Sequence, residues 1–251
     1  MPDFSGFNIA IATLSAMVFL GLSAQAGAAT YAEARQAIVV TTADWDTPIA
    51  ILQQYERKDH LSPWKPLGGK IQAVVGRHGL GWGAGLHPEP FLAGPLKKEG
   101  DGKSPAGIFP LRASFGYADP GMVNWIRLPY RKSTSGLKCI DDPASAHYNR
   151  IVDVSSVKPD WKSHEDMARD DDQYRLGIVI AHNTEPAAAG GGSCIFLHIW
   201  KASGEGTSGC TAVSAEDIEI LLRWLTPESK PLLIQLPEAE YRHLRQIWNL
   251  P

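Results

Sequence analysis

The stretch between residues 193 and 215 constrains this chain most, because it places two reactive side chains at the ends of different predicted elements. A short apolar run, Cys194 to Leu197, leads directly to His198 and predicts a strand. A turn rich in glycine and serine follows, and Cys210 stands at its end. A helix start signal and an apolar helical pattern come right after the cysteine. The stretch is therefore predicted to fold as a strand, a loop and a helix.

A cysteine and a histidine in this arrangement suit nucleophilic catalysis. A thiol with its free pKa of ~8.5 is mostly protonated at neutral pH, so a catalytic cysteine needs a positive neighbour or a base. Imidazole titrates in the range that lets it take this proton and return it. We therefore predict Cys210 as the nucleophile and His198 as its base. Gly209 lets the backbone approach a substrate, the amides from Ser208 to Cys210 are candidates for an oxyanion site, and Thr207 or Ser208 is a candidate support for the pair.

A zinc site is the alternative for the same side chains, since Cys194, His198 and Cys210 are all of ligand type. On a strand, Cys194 and His198 lie about 13 Å apart at ~3.3 Å per residue. Two ligands of one zinc ion must each come within ~2.3 Å of it. The apolar residues on both sides of His198 favour a strand over a helix. The sequence therefore predicts no metal.

The same residues resemble the signature of the L,D-transpeptidases with a YkuD-type catalytic domain: a histidine, a spacer, then Ser/Thr, a variable residue and Gly-Cys. Here His198 and the run Thr207 to Cys210 supply that pattern. The resemblance extends to Gly100 to Pro110, which is similar to the segment in which these enzymes lead substrate toward the site. It covers most of residues 70 to 237.

The resemblance implies a cysteine-dependent L,D-transpeptidase that acts on peptidoglycan stem peptides through a thioester. It implies no cofactor, and carbapenem-type beta-lactams as covalent inhibitors. Many members carry a histidine before Gly-Cys and an arginine after it, where this chain has Ser208 and Thr211-Ala212, as in a divergent subgroup. Two other functions stay open: an L,D-carboxypeptidase with water as the acceptor, and an inactive secreted peptidoglycan-binding protein with a structural Cys210.

The N-terminus has the pattern of a secretory signal. The apolar run of residues 9 to 23 is shorter than the ~20 residues of a membrane span. Ala24 to Ala26 and Ala26 to Ala28 are small-residue cleavage patterns, so residues 1 to 26 are predicted to be a signal peptide. The protein is then exported to the periplasm or cell envelope, with no stable membrane span after cleavage. Met1 to Asn8 lacks Lys and Arg, which leaves an uncleaved anchor or a misassigned start codon as alternatives.

Export affects how the other two of the three cysteines are interpreted. In an oxidising compartment Cys139 and Cys194 can form a disulfide while Cys210 stays reduced. The alternative is a pair of buried thiols that act as small apolar side chains. His182 follows a second apolar run, Leu176 to Ala181, and is predicted to support the cleft or to be an ordinary histidine at the end of a strand.

Alternating apolar runs and many turn residues predict a fold rich in β-structure. The 24 glycines and 18 prolines indicate short strands and long loops. Predicted strands include Ala37–Thr41, Ile49–Tyr55 and Ile71–Gly76, and predicted helices are Ser163–Asp170, Ala215–Leu225 and Glu238–Trp248. We expect a mainly β (α+β), β-sandwich-like YkuD-type catalytic fold with a few peripheral helices, as one domain over residues 27 to 251 with its core at about 70 to 237. The net charge of −3 gives no indication of nucleic-acid binding.

Overall fold

A computed structural model of the protein describes residues 31–88 and 93–251. In these ranges the strands are β1 (Gln36–Thr42), β2 (Ile49–Glu56), β3 (Lys65–Val74), β4 (Leu80–Trp82), β5 (Ser104–Gly116), β6 (Tyr130–Lys132), β7 (Leu137–Ile140), β8 (Ile151–Asp153), β9 (His164–Asp166), β10 (Leu176–Ile180), β11 (Phe196–Ile199), β12 (Thr211–Val213) and β13 (Leu232–Pro237). The helices are α1 (Ala215–Trp224) and α2 (Glu238–Ile247), with short 3-10 turns at Pro120–Met122, Asp172–Tyr174 and Pro227–Ser229.

The main sheet closes on itself. Its strands follow the order β10, β11, β12, β3, β2, β1, β13 and β5, and β5 pairs again with β10. One peptide unit of β5 shows how this happens: the N–H of Leu111 donates to Pro231 O at 2.9 Å, and Pro110 O accepts from the N–H of Ala181 at 3.0 Å. The two groups of a trans peptide point to opposite sides, so β13 and β10 flank β5 from both sides. The sheet is therefore barrel-like.

Burial along the strands explains why these segments form a sheet. In β2 the buried Ala50, Leu52 and Gln54 alternate with more exposed residues, which is the period-two pattern of a strand with one face in the core. Strands β1 and β13 are buried at almost every position. Helix α2 packs against both of these strands, so they are covered on two faces, while α1 packs on β10 and β11.

A second, three-stranded sheet lies beside the main one. Its order is β8, β7, β9, and both pairings are antiparallel. An apolar cluster joins it to the main sheet; its buried members are Phe115, Leu137, Cys139, Met167, Tyr174, Cys194, Phe196 and Cys210. A disulfide between Cys139 of β7 and Cys194, whose Cα atoms are 5.9 Å apart, adds a covalent link. Of the two alternatives for these cysteines, the structure has the disulfide, and Cys210 stays free.

The mainly β prediction with a few peripheral helices is confirmed. Helix α1 begins as expected, because the Ser214 hydroxyl accepts from the Asp217 N–H at 3.0 Å and caps it. The predicted helix at Ser163–Asp170 is wrong. His164–Asp166 is strand β9, since pairing with β7 satisfies its backbone groups.

Neither helix in the described part of the chain has the length and apolar content needed to cross a membrane. The predicted signal peptide lies outside the described residues.

Candidate active site

Two neighbouring parallel strands bring the predicted nucleophile and base together. Strand β11 carries His198, whose partner in β12 is Ala212. Cys210 stands two residues before Ala212, and side chains two apart on an extended chain point to the same face. Cys210 and His198 accordingly line one cavity of about 340 Å³. The predicted pair therefore shares a site.

The Cys210 thiol is held by two backbone groups. Its sulfur accepts from the Phe196 N–H at 3.3 Å, and the S–H donates to Cys194 O at 3.5 Å. Burial raises the pKa of Cys210 to about 12, and the Glu165 carboxylate acts in the same direction. The Phe196 N–H, Lys97 and Tyr174 act in the opposite direction on this pKa. At neutral pH the thiol of the free protein is protonated.

His198 is oriented by the carbonyl next to it. Because a carbonyl oxygen can only accept, the 2.8 Å contact between Nδ1 and Ile199 O identifies Nδ1 as the protonated nitrogen. Nε2 then keeps its lone pair and can act as a base. Burial lowers the pKa of His198 to about 4. The site is thus a neutral thiol and a neutral imidazole, and within residues 31–88 and 93–251 no hydrogen bond joins the two.

The loop before the nucleophile is held by hydroxyl groups. Thr207 Oγ1 donates to Cys210 O at 2.5 Å and accepts from the Gly209 N–H at 3.1 Å. Ser104 Oγ, at the start of β5, donates to the same Cys210 carbonyl at 2.8 Å. The Gly209 amide is therefore occupied, and the amides of Ser208 and Cys210 are the remaining oxyanion candidates.

Ser208 lies at the rim of the cavity. It is exposed, and its hydroxyl accepts from Arg77 Nη1 at 3.2 Å. The Arg77 N–H donates to Thr207 O at 2.8 Å, so this arginine is attached to the loop at two points. The segment Gly100–Pro110 contributes Ser104 and β5; only its first residues form a turn.

Two residues that the sequence analysis missed complete the cavity. The Tyr174 ring meets His198 edge to face, with centroids 5.2 Å apart. The Tyr174 hydroxyl donates to Glu165 Oε2 at 2.6 Å, and Glu165 also lines the cavity. Burial raises the pKa of Glu165. No local pattern points to either residue, since they come from β9 and from a 3-10 turn far from Cys210 in sequence.

A buried lysine lies behind the nucleophile loop. The Lys97 side chain is only 3% exposed, and its Nζ is 2.7 Å from Asp101 Oδ1. This Nζ also lies close to the loop, 3.9 Å from the position that a Cβ atom would take on Gly209. Its charge lowers the pKa of Cys210 against the effect of burial.

His182 is not part of this cavity. It is 1% exposed, its Nε2–H donates to Gly191 O at 2.9 Å, and its ring packs edge to face on Phe109 at 5.7 Å. The structure therefore separates His182 from the Cys210 and His198 pair. In the described residues no group of three or more His, Cys, Asp and Glu side chains is placed to hold a metal ion.

The closed β-fold carries a cysteine–histidine site where β11 lies next to the start of β12, with the thiol and the oriented imidazole in one cavity. The family model of the YkuD L,D-transpeptidase catalytic domain matches residues 61–234, well over half of the chain, and the protein belongs to this family. No curated protein and no solved structure matches the chain. The family acts on cell wall peptidoglycan, generally outside the cytoplasm, and is inhibited by carbapenems.

Proposed function

We propose that this protein is a cysteine-dependent L,D-transpeptidase that acts on peptidoglycan stem peptides through a thioester acyl-enzyme. The observation that carries the proposal is the shared cavity of Cys210 and His198, with Nδ1 of the imidazole bound to Ile199 O. That contact leaves Nε2 free to take a proton, as general-base catalysis requires. Membership of the family supports the reaction class.

The first step forms the thioester. The Cys210 sulfur attacks the carbonyl of the diamino acid in a tetrapeptide stem, and the thiol proton passes to Nε2 of His198. The C–N bond to the terminal D-Ala then breaks, and the imidazolium returns the proton to the leaving amine. Amide N–H groups of Ser208 and Cys210 stabilise the oxyanion.

The second step transfers the acyl group. The side-chain amine of another stem attacks the thioester carbon and gives a proton to Nε2. The C–S bond breaks, and the proton returns to the sulfur. With water in place of the amine, the same residues perform the L,D-carboxypeptidase reaction, so product analysis separates these two activities.

Export of the protein from the cytoplasm is part of this proposal. A peptidoglycan substrate lies outside the cytoplasm, and the signal pattern of residues 1 to 26 supplies a route there. The disulfide between Cys139 and Cys194 is in keeping with an oxidising compartment. The remaining residues, 27 to 251, form one catalytic domain in this proposal.

Intact-protein mass spectrometry after mixing with a carbapenem tests the proposal. Opening of the beta-lactam ring by the Cys210 sulfur adds the whole carbapenem mass to the protein. The adduct should map to Cys210 and disappear in Cys210→Ala, because the other two cysteines are in the disulfide.

The outcome separates the alternatives. No adduct on folded protein whose Cys210 is a free thiol would favour the inactive peptidoglycan-binding alternative. An adduct, followed by assays on purified muropeptides, distinguishes the two activities: cross-linked products indicate transpeptidation, and shortened stems alone indicate hydrolysis.

A further inference from the structure

Charge pairing around the cavity of Cys210 and His198 leaves one cation without a counter-ion. Arg169 and Lys201 line this cavity, and each is paired with a protein carboxylate at 2.8 Å. Arg77 lines it as well, yet among the described residues no carboxylate lies within ion-pair distance of its guanidinium. A cation of this kind at the rim of a cavity attracts an anion from outside the protein.

The backbone of Arg77 is fixed to the loop that ends in the nucleophile. Its N–H donates to Thr207 O at 2.8 Å, and the Thr207 N–H donates to Val75 O at 2.9 Å, so the two segments pair as a short parallel bridge. A Cβ on Gly206 would lie 2.6 Å from the Cα of Arg77, so only glycine permits this close contact. The start of the Arg77 side chain therefore has a defined position beside the loop.

The side chain of Arg77 is held at one of its nitrogens. Nη1 donates to the Ser208 hydroxyl at 3.2 Å, and this is the one hydrogen bond that the side chain makes among the described residues. On its other side, Nε lies 3.3 Å from the position that a Cβ atom would take on Gly102. A guanidinium has five N–H donors in a planar fork, and two of them can bind both oxygens of one carboxylate. Arg77 thus has donors left for such a ligand.

The proposed reaction places a carboxylate close to this fork. Ser208, which holds Arg77, stands two residues before Cys210, and its amide is one of the two oxyanion candidates. In a tetrapeptide stem the terminal D-Ala follows directly on the carbonyl that the sulfur attacks, and neighbouring Cα atoms are about 3.8 Å apart. An enzyme that removes one terminal residue has to distinguish the chain end from an internal bond. The negative charge of the terminal carboxylate marks that end.

We propose that Arg77 forms a carboxylate-binding subsite, in which its guanidinium binds the carboxylate of the terminal D-Ala and so positions the preceding peptide bond at Cys210. The inference rests on the proposed function for the identity of that carboxylate. No bond is made or broken at Arg77. The carboxylate departs with D-Ala once the thioester has formed, so the subsite is empty when the acceptor arrives.

Paired peptides test the subsite: a stem tetrapeptide with a free terminal carboxylate, and the same peptide as its C-terminal amide. The wild type should process the acid with a kcat/KM roughly ten- to a hundredfold higher than the amide, as expected for a hydrogen-bonded charged group. Arg77→Gln should lose about this factor on the acid and stay within about twofold of the wild type on the amide. A merely structural role of Arg77 would lower both values together.

Two further variants serve as controls. Lys201→Gln removes a positive charge from the same cavity, but from an exposed side chain that is already paired with Glu205. It should keep the preference for the acid within about twofold of the wild type. Arg77→Lys keeps the charge and loses the planar fork, so its preference should lie between those of the wild type and Arg77→Gln. Circular dichroism shows that each variant is folded.

Equal kcat/KM values of the wild type on the acid and the amide would overturn the subsite. So would equal losses on both peptides in Arg77→Gln, because these would assign Arg77 to a group that both peptides share or to the fold.

Binding measurements separate this inference from the proposed function. Calorimetric titration of Cys210→Ala with each peptide requires no turnover. Tighter binding of the acid that disappears in Cys210→Ala/Arg77→Gln would support the subsite, and in a protein that never processes either peptide it would overturn the proposed function alone. Equal binding of the two peptides to Cys210→Ala would overturn the subsite.

Discussion

Two buried histidines of this protein share almost every local property and lie in different surroundings. His198 lies in β11, one residue before its end, and is 4% exposed; His182 follows β10 and is 1% exposed. Each ring donates one N–H to a backbone carbonyl, and burial lowers the pKa of each to about 4. The two rings differ in their other neighbours. His198 faces the cavity that Cys210 also lines, whereas His182 packs on Phe109.

This difference shows that burial and a lowered pKa do not by themselves identify a catalytic histidine. Both rings are neutral at physiological pH and both are fixed in orientation. What distinguishes His198 is a cavity that a substrate can enter and a thiol that lines it.

The largest expected effect is on catalysis. His198→Ala removes the proposed general base, so the rate of acylation should fall about 10² to 10⁴-fold. Single-turnover acylation by a carbapenem, followed by mass spectrometry, measures this rate directly. The free energy of unfolding of His198→Ala is not expected to fall in proportion to this loss of acylation rate.

His182→Ala is the matched control in the same assay. It should keep the acylation rate within about threefold while losing roughly 1–3 kcal/mol of stability, because a buried ring and its hydrogen bond are removed. A loss of rate as large as that of His198→Ala would refute the separation of the two sites.

The next effect concerns the segment that holds His182 and the Cys210 thiol. Gly191 O accepts from His182, Cys194 O accepts from Cys210, and the disulfide anchors Cys194 to Cys139 over a sequence separation of 55. Cys139→Ala/Cys194→Ala should lower the free energy of unfolding by roughly 4 kcal/mol through loop entropy. Urea unfolding of the double variant measures the change.

Cys210→Ala, which keeps the disulfide, is the control for loss of a buried thiol. It should unfold close to the wild type. Equal unfolding midpoints for the double variant and the wild type would show that packing alone holds the small sheet in place.

The remaining effect is the pH dependence that both histidines share. Each has a pKa of about 4 in the folded protein, below the ordinary value of 6.5, so the unfolded chain binds protons that the folded chain does not. Stability should therefore fall as the pH falls from about 6.5 to about 4, by at most about 1.4 kcal/mol per histidine and pH unit. Unfolding free energies measured across this window test the slope.

His182→Phe should flatten the slope of stability against pH. It should leave the pH dependence of acylation unchanged, since in the proposed mechanism only His198 acts on the thiol. An acid limb of kcat/KM that moves with His182→Phe would contradict that division.

The meeting of Cys210 and His198 in one cavity was predictable because its signal is local. Residues 193 to 215 carry an apolar strand, a glycine-rich loop and a helix start in sequence order, and Thr207 belongs to the same loop. The mainly β fold was predictable for the same reason, since short apolar runs separated by glycine- and proline-containing turns predict strands.

The position of Glu165 in the cavity was not predictable from the sequence. Its neighbours suggested a helix at Ser163–Asp170, but pairing with β7 makes the segment a strand and directs Glu165 into the cavity. His182 shows the converse, because its strand-end pattern resembles that of His198 while the fold buries it elsewhere.

By itself the sequence singled out Cys210 and His198 as candidates, the loop between them and the predominance of strands, because each depends on residues close together in the chain. The tertiary structure alone decided the closure of the sheet, the joining of Cys139 to Cys194, and the placement of Glu165 and Tyr174 beside the thiol. These depend on contacts between segments distant in sequence, and local propensity does not encode which distant partners will meet.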